Sequence, residues 1–144
     1  MIHEAIVRKK ALAPKRPRGP AKPKAPIPTP EAVALRLFDR AAKALGIQTA
    51  DRAILLNIGR TKLFEVLKDP DPQLDVDQKD RVGYFLAIYE HSGRLVGSAD
   101  AWLKAPNTAP LFRGKPPLER MLGGRMADLI STLNYLEGVY GGWA

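Results

Sequence analysis

The chain has 144 residues, of which 45% are hydrophobic and none is cysteine, and its formal net charge is +8. This length suits one small globular domain with extensions. The lack of cysteine excludes disulfides, thiolate metal sites and cysteine nucleophiles. No run approaches the roughly 18 apolar residues of a membrane span, and the apolar run at the N-terminus is too short for a signal peptide. We therefore expect a cytoplasmic protein without a membrane segment.

Most of the positive charge lies in an N-terminal tail, residues 1–28. The tail carries eight Lys or Arg and one acidic residue, a net charge of +7, whereas the rest of the chain carries +1. Seven of the residues from 11 to 30 are proline, and such a segment cannot repay its conformational entropy by packing. We expect a disordered tail that lies along DNA phosphates, or alternatively a solubilising leader that contacts nothing. The tail residues expected to contact DNA are Arg16, Arg18, Lys22 and Lys24.

The first helix is predicted to begin at Thr29-Pro30. Threonine caps helix N-termini, and proline at the first helical position loses no hydrogen bond. The helix is expected to end before Gly46. Its apolar positions recur at helical spacing and predict a buried stripe of Val33, Leu37, Phe38, Ala41 and Leu45. A second start signal at Thr49 predicts a short helix that carries Ile54, Leu55 and Leu56.

Residues 55–67 have the pattern of a helix-turn-helix, with an apolar pair, a tight turn and a second amphipathic helix. Asn57 tolerates the left-handed conformation that the turn needs, and Ile58 supplies an apolar plug. Gly59 stands at the N-cap of the second helix, where glycine is a tolerated substitute for serine. The side chains expected to anchor the second helix are Leu63, Val66 and Leu67.

In this arrangement the start of the second helix faces DNA. Arg60, Thr61 and Lys62 then point toward a groove or toward phosphates. The alternative is two core helices joined by a turn, with the same side chains merely solvated. Glu65 and Asp69 weaken the DNA-binding interpretation, because carboxylates repel the phosphate backbone.

A longer helix is predicted after the prolines of Asp69-Pro70-Asp71-Pro72, which end the preceding helix. Asp75 and Gln78 have the spacing of a capping box and mark its start. We expect the helix to close at His91-Ser92-Gly93. Its predicted apolar stripe is Val82, Phe85, Leu86 and Tyr89, with Leu86 at the centre.

The C-terminal part of the chain is predicted to contain two further amphipathic helices. Residues 96–105 form a short helix that is capped by Ser98 and carries Trp102 and Leu103 inward. The last helix has an apolar face that needs a surface to pack against. That face comprises Met126, Leu129, Ile130, Leu133, Leu136 and Tyr140.

No combination of side chains indicates an active site. His3 and His91 are the only histidines, and the aspartates stand mostly at caps and turns rather than in paired-carboxylate or calcium patterns. Gly123-Gly124 and Gly141-Gly142 lack the following Lys-Ser/Thr of a phosphate-binding loop. We expect no catalytic residues, no metal site and no cofactor, and therefore a protein that is not an enzyme.

Several short motifs occur in a distinctive order in the C-terminal half. They are Trp102-Leu103, Pro106-Asn107, Gly114, Pro117-Leu118 and Gly123-Gly124. This order resembles the C-terminal toxin-binding domain of the Xre/MbcA/ParS antitoxin family, although Phe112-Arg113 stand where that family usually has a Leu-Gly-Gly turn. Gln78 and Arg81 match a Gln-x-x-Arg pair that recurs in the family at the start of a bridging helix.

The resemblance covers about residues 31–144 and implies an all-α fold. It implies a helix-turn-helix half at residues 29–93 and a toxin-binding half at residues 94–144. The implied function is an antitoxin that inhibits a cognate RES-type toxin, which consumes NAD or transfers ADP-ribose from it, and that represses its own operon by binding operator DNA. It would act as a homodimer or as a hetero-oligomer with the toxin. The alternative is a stand-alone basic DNA-binding protein with a regulatory or architectural role.

The far C-terminus is predicted to contact the toxin. Trp143 follows a Gly-Gly joint near the chain end, where little neighbouring chain can bury it, although folding back over the last helix is the alternative. An aromatic group beside basic side chains suits the mouth of an NAD pocket, which accepts planar rings and phosphates. The predicted toxin-contact residues are Arg113, Lys115, Tyr135, Tyr140 and Trp143.

Overall fold

Helix is the only regular secondary structure in residues 26–140, the part of the chain that this computed structural model describes. The all-α prediction is confirmed for these residues, whereas residues 1–25, most of the predicted tail, and residues 141–144 lie outside them. No helix among the described residues is long and apolar enough to cross a bilayer. In chain order the helices are α1 (Pro30–Ala44), α2 (Thr49–Leu56), α3 (Arg60–Lys68), α4 (Val76–Val96), α5 (Ala99–Lys104), α6 (Pro117–Met121) and α7 (Met126–Tyr140).

Helix α1 begins as predicted, and Phe38, Ala41 and Leu45 of its predicted stripe are buried. The Thr29 hydroxyl accepts a hydrogen bond from the Ala32 amide at 3.2 Å, and Pro30 occupies the first helical position. Val33 and Leu37 are each 45% exposed, so the predicted stripe was wrong at these two positions. The buried face instead centres on two large side chains and several alanines, which give a weak apolar signal but permit close helix packing. It comprises Ala32, Leu35, Phe38, Ala41 and Ala42.

Helix α4 is longer than predicted. Its start is confirmed, because Asp75 and Gln78 form the reciprocal hydrogen bonds of a capping box. The predicted end at His91-Ser92-Gly93 was wrong: the helix continues to Val96 and ends at Gly97, whose φ is +79°. Ser92 does not break the helix because its buried hydroxyl donates to the Tyr89 carbonyl within the helix at 3.1 Å. The predicted boundary between residues 93 and 94 thus falls inside α4, and the division into two domains stays a prediction.

The core forms around α4, which packs against α1, α2, α5 and α7. Phe85 of α4 meets Phe38 of α1 edge to face, with the ring centroids 4.8 Å apart. Leu86 and Tyr89 are only half-buried, and Ile88 is fully buried in their place. Among the described side chains of α7, the leucines of the predicted apolar face pack within the chain. These buried leucines are Leu129, Leu133 and Leu136.

A buried aromatic cluster holds the C-terminal helices together. Trp102 of α5 is 8% exposed, which confirms its predicted place in the core. Its ring lies 5.7 Å from that of Phe112 and 6.2 Å from that of Tyr135 on α7. The predicted cap of α5 is also present, since the Ser98 hydroxyl accepts from the Ala101 amide at 3.3 Å. These contacts fix α5, α7 and the loop between them as one packed unit.

Candidate functional site

The turn between α2 and α3 has the geometry that the sequence predicted. Asn57 adopts the left-handed conformation, with φ +52° and ψ +53°. The Ile58 amide donates to the Ala53 carbonyl at 3.0 Å, and the half-buried Ile58 side chain packs on the core. Gly59 is the N-cap of α3. Leu63 and Val66 are buried, so α3 is held by its inner face and its outer face stays accessible.

The predicted DNA-contact residues of α3 lie on its exposed start. Arg60, Thr61 and Lys62 are all exposed, and together they form the first turn of the helix. Glu65 neutralises little of this charge, because its carboxylate is 3.8 Å from the Lys62 amine and both side chains are well solvated. The first turn of α3 therefore presents two cations and a hydroxyl to solvent, as a recognition helix requires.

Phe64 is the residue of this surface that the sequence did not single out. It is 50% exposed in the middle of α3, between the buried Leu63 and the charged Glu65. A half-exposed phenylalanine leaves apolar area that a partner could bury with a gain in free energy, although single apolar side chains are common on protein surfaces. Its place on the outer face follows from helical spacing, because Thr61 and Phe64 are three residues apart.

Two polar side chains of α4 form hydrogen bonds to the end of α2 and to the turn that follows it. The Gln78 amide nitrogen donates to the Asn57 carbonyl at 3.3 Å. Arg81 is only 6% exposed, and its guanidinium donates to the Leu55 carbonyl at 3.3 Å and to the Asp77 carboxylate at 2.8 Å. The Gln-x-x-Arg pair thus satisfies carbonyls at the end of α2 that no helical amide can reach.

The same arginine reaches the C-terminal part of the chain. Arg81 also donates to the Gly124 carbonyl at 2.9 Å. Gly124 has φ +83°, and a Cβ atom there would lie 2.9 Å from the Ile54 side chain of α2. An open cleft of about 660 Å³ lies at this junction, lined by the turn, by Arg60 and by Gly123-Gly124. The loop before α7 is therefore packed directly beside the helix-turn-helix.

A buried ion pair connects α1 to the start of α2. The Arg52 guanidinium lies 3.0 Å from the Asp39 carboxylate of α1 and donates to the Ile47 carbonyl at 2.7 Å. Lys43 contacts the other carboxylate oxygen of Asp39 at 3.0 Å. The buried charges of Asp39 and Arg52 are therefore paired, and their contacts link α1 to α2. The described residues contain no cluster of His, Asp and Glu that could hold a metal ion.

The basic residues predicted to contact the toxin lie on a loop that Asn107 closes. The Asn107 amide donates to the Lys115 carbonyl at 3.2 Å, and its carbonyl accepts from the Gly114 amide at 2.8 Å. Arg113 and Gly114 both have positive φ, +53° and +80°. Arg113 and Lys115 are exposed at the tip of this loop, and the Lys115 amine lies 3.6 Å from the Glu119 carboxylate.

The aromatic residues predicted to contact the toxin are not equivalent. Tyr135 is half-buried, and its ring lies 5.2 Å from that of Phe112, so part of it belongs to the core cluster. Phe112 is 3% exposed and anchors the Asn107 loop, which carries Arg113, to this cluster. Trp143 and the side chain of Tyr140 lie outside the described residues. The structure therefore brings Tyr135 and the Asn107 loop together through Phe112.

Residues 27–87 match the family model of the antitoxin Xre-like helix-turn-helix domain. A protein of Sinorhizobium fredii (strain NBRC 101917 / NGR234) that is named uncharacterized protein y4oB is 29% identical over 111 residues, which cover 75% of this chain and 84% of that protein. The family match includes α1 to α3 and the part of α4 that carries Gln78 and Arg81. It supports an Xre-type antitoxin role in a toxin–antitoxin pair.

Proposed function

We propose that this chain is the antitoxin of a two-protein toxin–antitoxin system and binds both operator DNA and a RES-type toxin. One observation carries the proposal: the segment that matches the Xre-like antitoxin domain presents Arg60, Thr61 and Lys62 on the exposed start of α3. The left-handed turn at Asn57 orients that helix. The role is one of binding rather than catalysis.

DNA binding by α3 explains the charge of its first turn. Arg60 and Lys62 neutralise phosphates that flank a groove, and Thr61 reaches a base edge or a phosphate with its hydroxyl. The basic tail adds affinity that is independent of sequence, since each bound cation releases counterions from the DNA. Bound at its own promoter, the protein represses transcription of the operon.

Toxin inhibition is assigned to the C-terminal part of the chain. Arg113 and Lys115 project from the Asn107 loop, and Tyr135 lies beside it. RES-type toxins consume NAD or transfer ADP-ribose from it, so their substrate pocket accepts phosphates and planar rings. We propose that the basic loop and the aromatic residues Tyr135, Tyr140 and Trp143 cover the mouth of that pocket and exclude the substrate.

Two measurements test the antitoxin function together. Co-expression of the chain with the toxin from the adjacent reading frame is expected to restore growth, and the purified proteins are expected to form a stable complex as a hetero-oligomer. Gel-shift assays are expected to show binding to the DNA upstream of the operon. Binding to DNA without growth rescue, or without any toxin gene beside it, would indicate a stand-alone DNA-binding regulator instead.

A further inference from the structure

We propose that the DNA-contact surface extends beyond the helix-turn-helix onto the loop before α7, where Arg125 binds a backbone phosphate. The inference rests on the proposed DNA binding by α3. It adds a contact from the C-terminal part of the chain, which is otherwise assigned to the toxin.

The position of Gly124 fixes where Arg125 must be. The backbone of Gly124 lies against Ile54 of α2, so closely that it leaves no room for a Cβ atom. Its carbonyl is held by the buried guanidinium of Arg81 at 2.9 Å. Gly124 also lines the cleft that Arg60 borders. Arg125 is the next residue and is exposed, so its backbone starts at the edge of that cleft.

The charges around the cleft leave this arginine available. Among residues 26–140, neither Arg60 nor Arg125 forms an ion pair within the chain. Asp128, the nearest acidic residue along α7, is engaged by Arg120 at 3.0 Å. Arg60 therefore borders the cleft, Arg125 follows the glycine that lines it, and neither has a carboxylate partner among the described residues. Two such arginines attract a phosphate chain.

The contact between Gly124 and α2 favours binding of a DNA phosphate by Arg125 over recognition of a base. In a helix-turn-helix, the second helix enters the major groove while the first crosses the DNA backbone. Gly124 packs against Ile54, on the first helix of the motif. Arg125 thus lies on the side of the motif that follows the phosphates. A guanidinium suits that position because it matches a phosphate with two parallel hydrogen bonds.

The test measures DNA affinity of the full chain against salt concentration. Two fragments of equal length serve as probes: the DNA upstream of the chain's own reading frame and an unrelated sequence. Arg125→Ala is expected to weaken binding to both fragments about three- to tenfold and to reduce the slope of log K against log salt by about 1. Arg125→Lys retains the charge and is expected to keep the slope.

Arg94→Ala is the control for the loss of one exposed arginine, although Arg94, unlike Arg125, is paired with a carboxylate, that of Glu90. Arg94 is exposed and lies about 20 Å further along α4 than Arg81, because an α-helix rises about 1.5 Å per residue. Arg60→Ala then separates the two proposals. If Arg60→Ala weakens binding while Arg125→Ala behaves like Arg94→Ala, the extended surface is overturned and the helix-turn-helix interface stands. If neither arginine matters, DNA binding by this face fails as a whole. Loss of affinity for the upstream fragment alone would contradict a phosphate contact.

Discussion

The guanidinium of Arg81 and the carbonyl of Gly124 are joined by a 2.9 Å hydrogen bond across 43 residues of chain. Arg81 is buried, and the same Nη1 atom also donates to the Leu55 carbonyl at the end of α2. One side chain of α4 therefore holds the helix-turn-helix on one side and the loop before α7 on the other.

Replacement of Arg81 tests the link. Arg81→Met keeps much of the side-chain volume but leaves the Gly124 and Leu55 carbonyls without their donor, and each buried unpaired group costs about 1–3 kcal/mol. We expect a loss of about 2–4 kcal/mol in the free energy of unfolding, measured by urea denaturation. Arg81→Lys is expected to recover only part of it, because an ammonium cannot span the same acceptors. A stability equal to that of the parent chain would show that the bond contributes nothing net.

Gly124 gives a second test of the same junction. Gly124→Ala forces a side chain into positive φ and against Ile54, so we expect a loss of about 1–3 kcal/mol in unfolding free energy. Gly83→Ala is the matched control, since Gly83 is an exposed residue within α4 with open space around it. That change is expected to stabilise the chain by about 0.5–1 kcal/mol through helix propensity. Equal effects of both substitutions on the thermal midpoint would argue against a close approach at Gly124.

The sequence predicted those parts of the candidate site that depend on a few neighbouring residues. The left-handed turn at Asn57, the capping box at Asp75 and Gln78 and the inward Trp102 were all predicted, because each depends on a few neighbouring residues. The exposed first turn of α3 followed from the same spacing.

Features that depend on distant contacts were missed. The orientation of α1 is set by its packing against α3 and α4. The sequence of α1 does not contain this information, and so Val33 and Leu37 were placed on the wrong face. Apart from the capping box of Gln78, the pair Gln78 and Arg81 was noted only as a resemblance. Their role became visible once the Asn57, Leu55 and Gly124 carbonyls were brought to one place. A buried arginine is rare without partners, but its sequence does not say which they are.

Recognition by α3 is tested by alanine at Arg60, Thr61 and Lys62 together. None of these side chains is buried, so the triple variant is expected to fold with a thermal midpoint close to that of the parent. We expect it to lose binding to the upstream DNA in gel shifts and to lose repression of a promoter reporter. The double variant Arg94→Ala/Lys104→Ala removes the same amount of charge elsewhere and is the control. Unchanged gel shifts would indicate that the motif serves packing or dimerisation rather than DNA recognition.

The basic tail is expected to supply affinity that depends on salt. Deletion of residues 1–28 removes eight cations, and the slope of log K against log salt is expected to fall by several units, up to about seven if every cation contacts a phosphate. A variant with the tail residues scrambled keeps the charge and should keep the slope. Growth rescue from the toxin should survive the deletion. An unchanged slope would reduce the tail to a leader that does not touch DNA.

The last four residues are expected to carry much of the toxin affinity. Removal of residues 141–144 leaves the buried leucines of α7 in place, so the helices should stay folded. Loss of an aromatic hot spot at Trp143 is expected to cost about 2–4 kcal/mol of toxin binding, measured by calorimetry and read in cells as failed growth rescue. Trp143→Ala alone should reproduce most of the loss, whereas Ala144 removed by itself should change nothing. If the truncated chain binds the toxin with unchanged affinity, the proposal that Trp143 covers the mouth of the substrate pocket is wrong. Because Leu129, Leu133 and Leu136 of α7 are already buried, we would then expect the contact at the half-buried Tyr135 and on the exposed loop of Arg113 and Lys115.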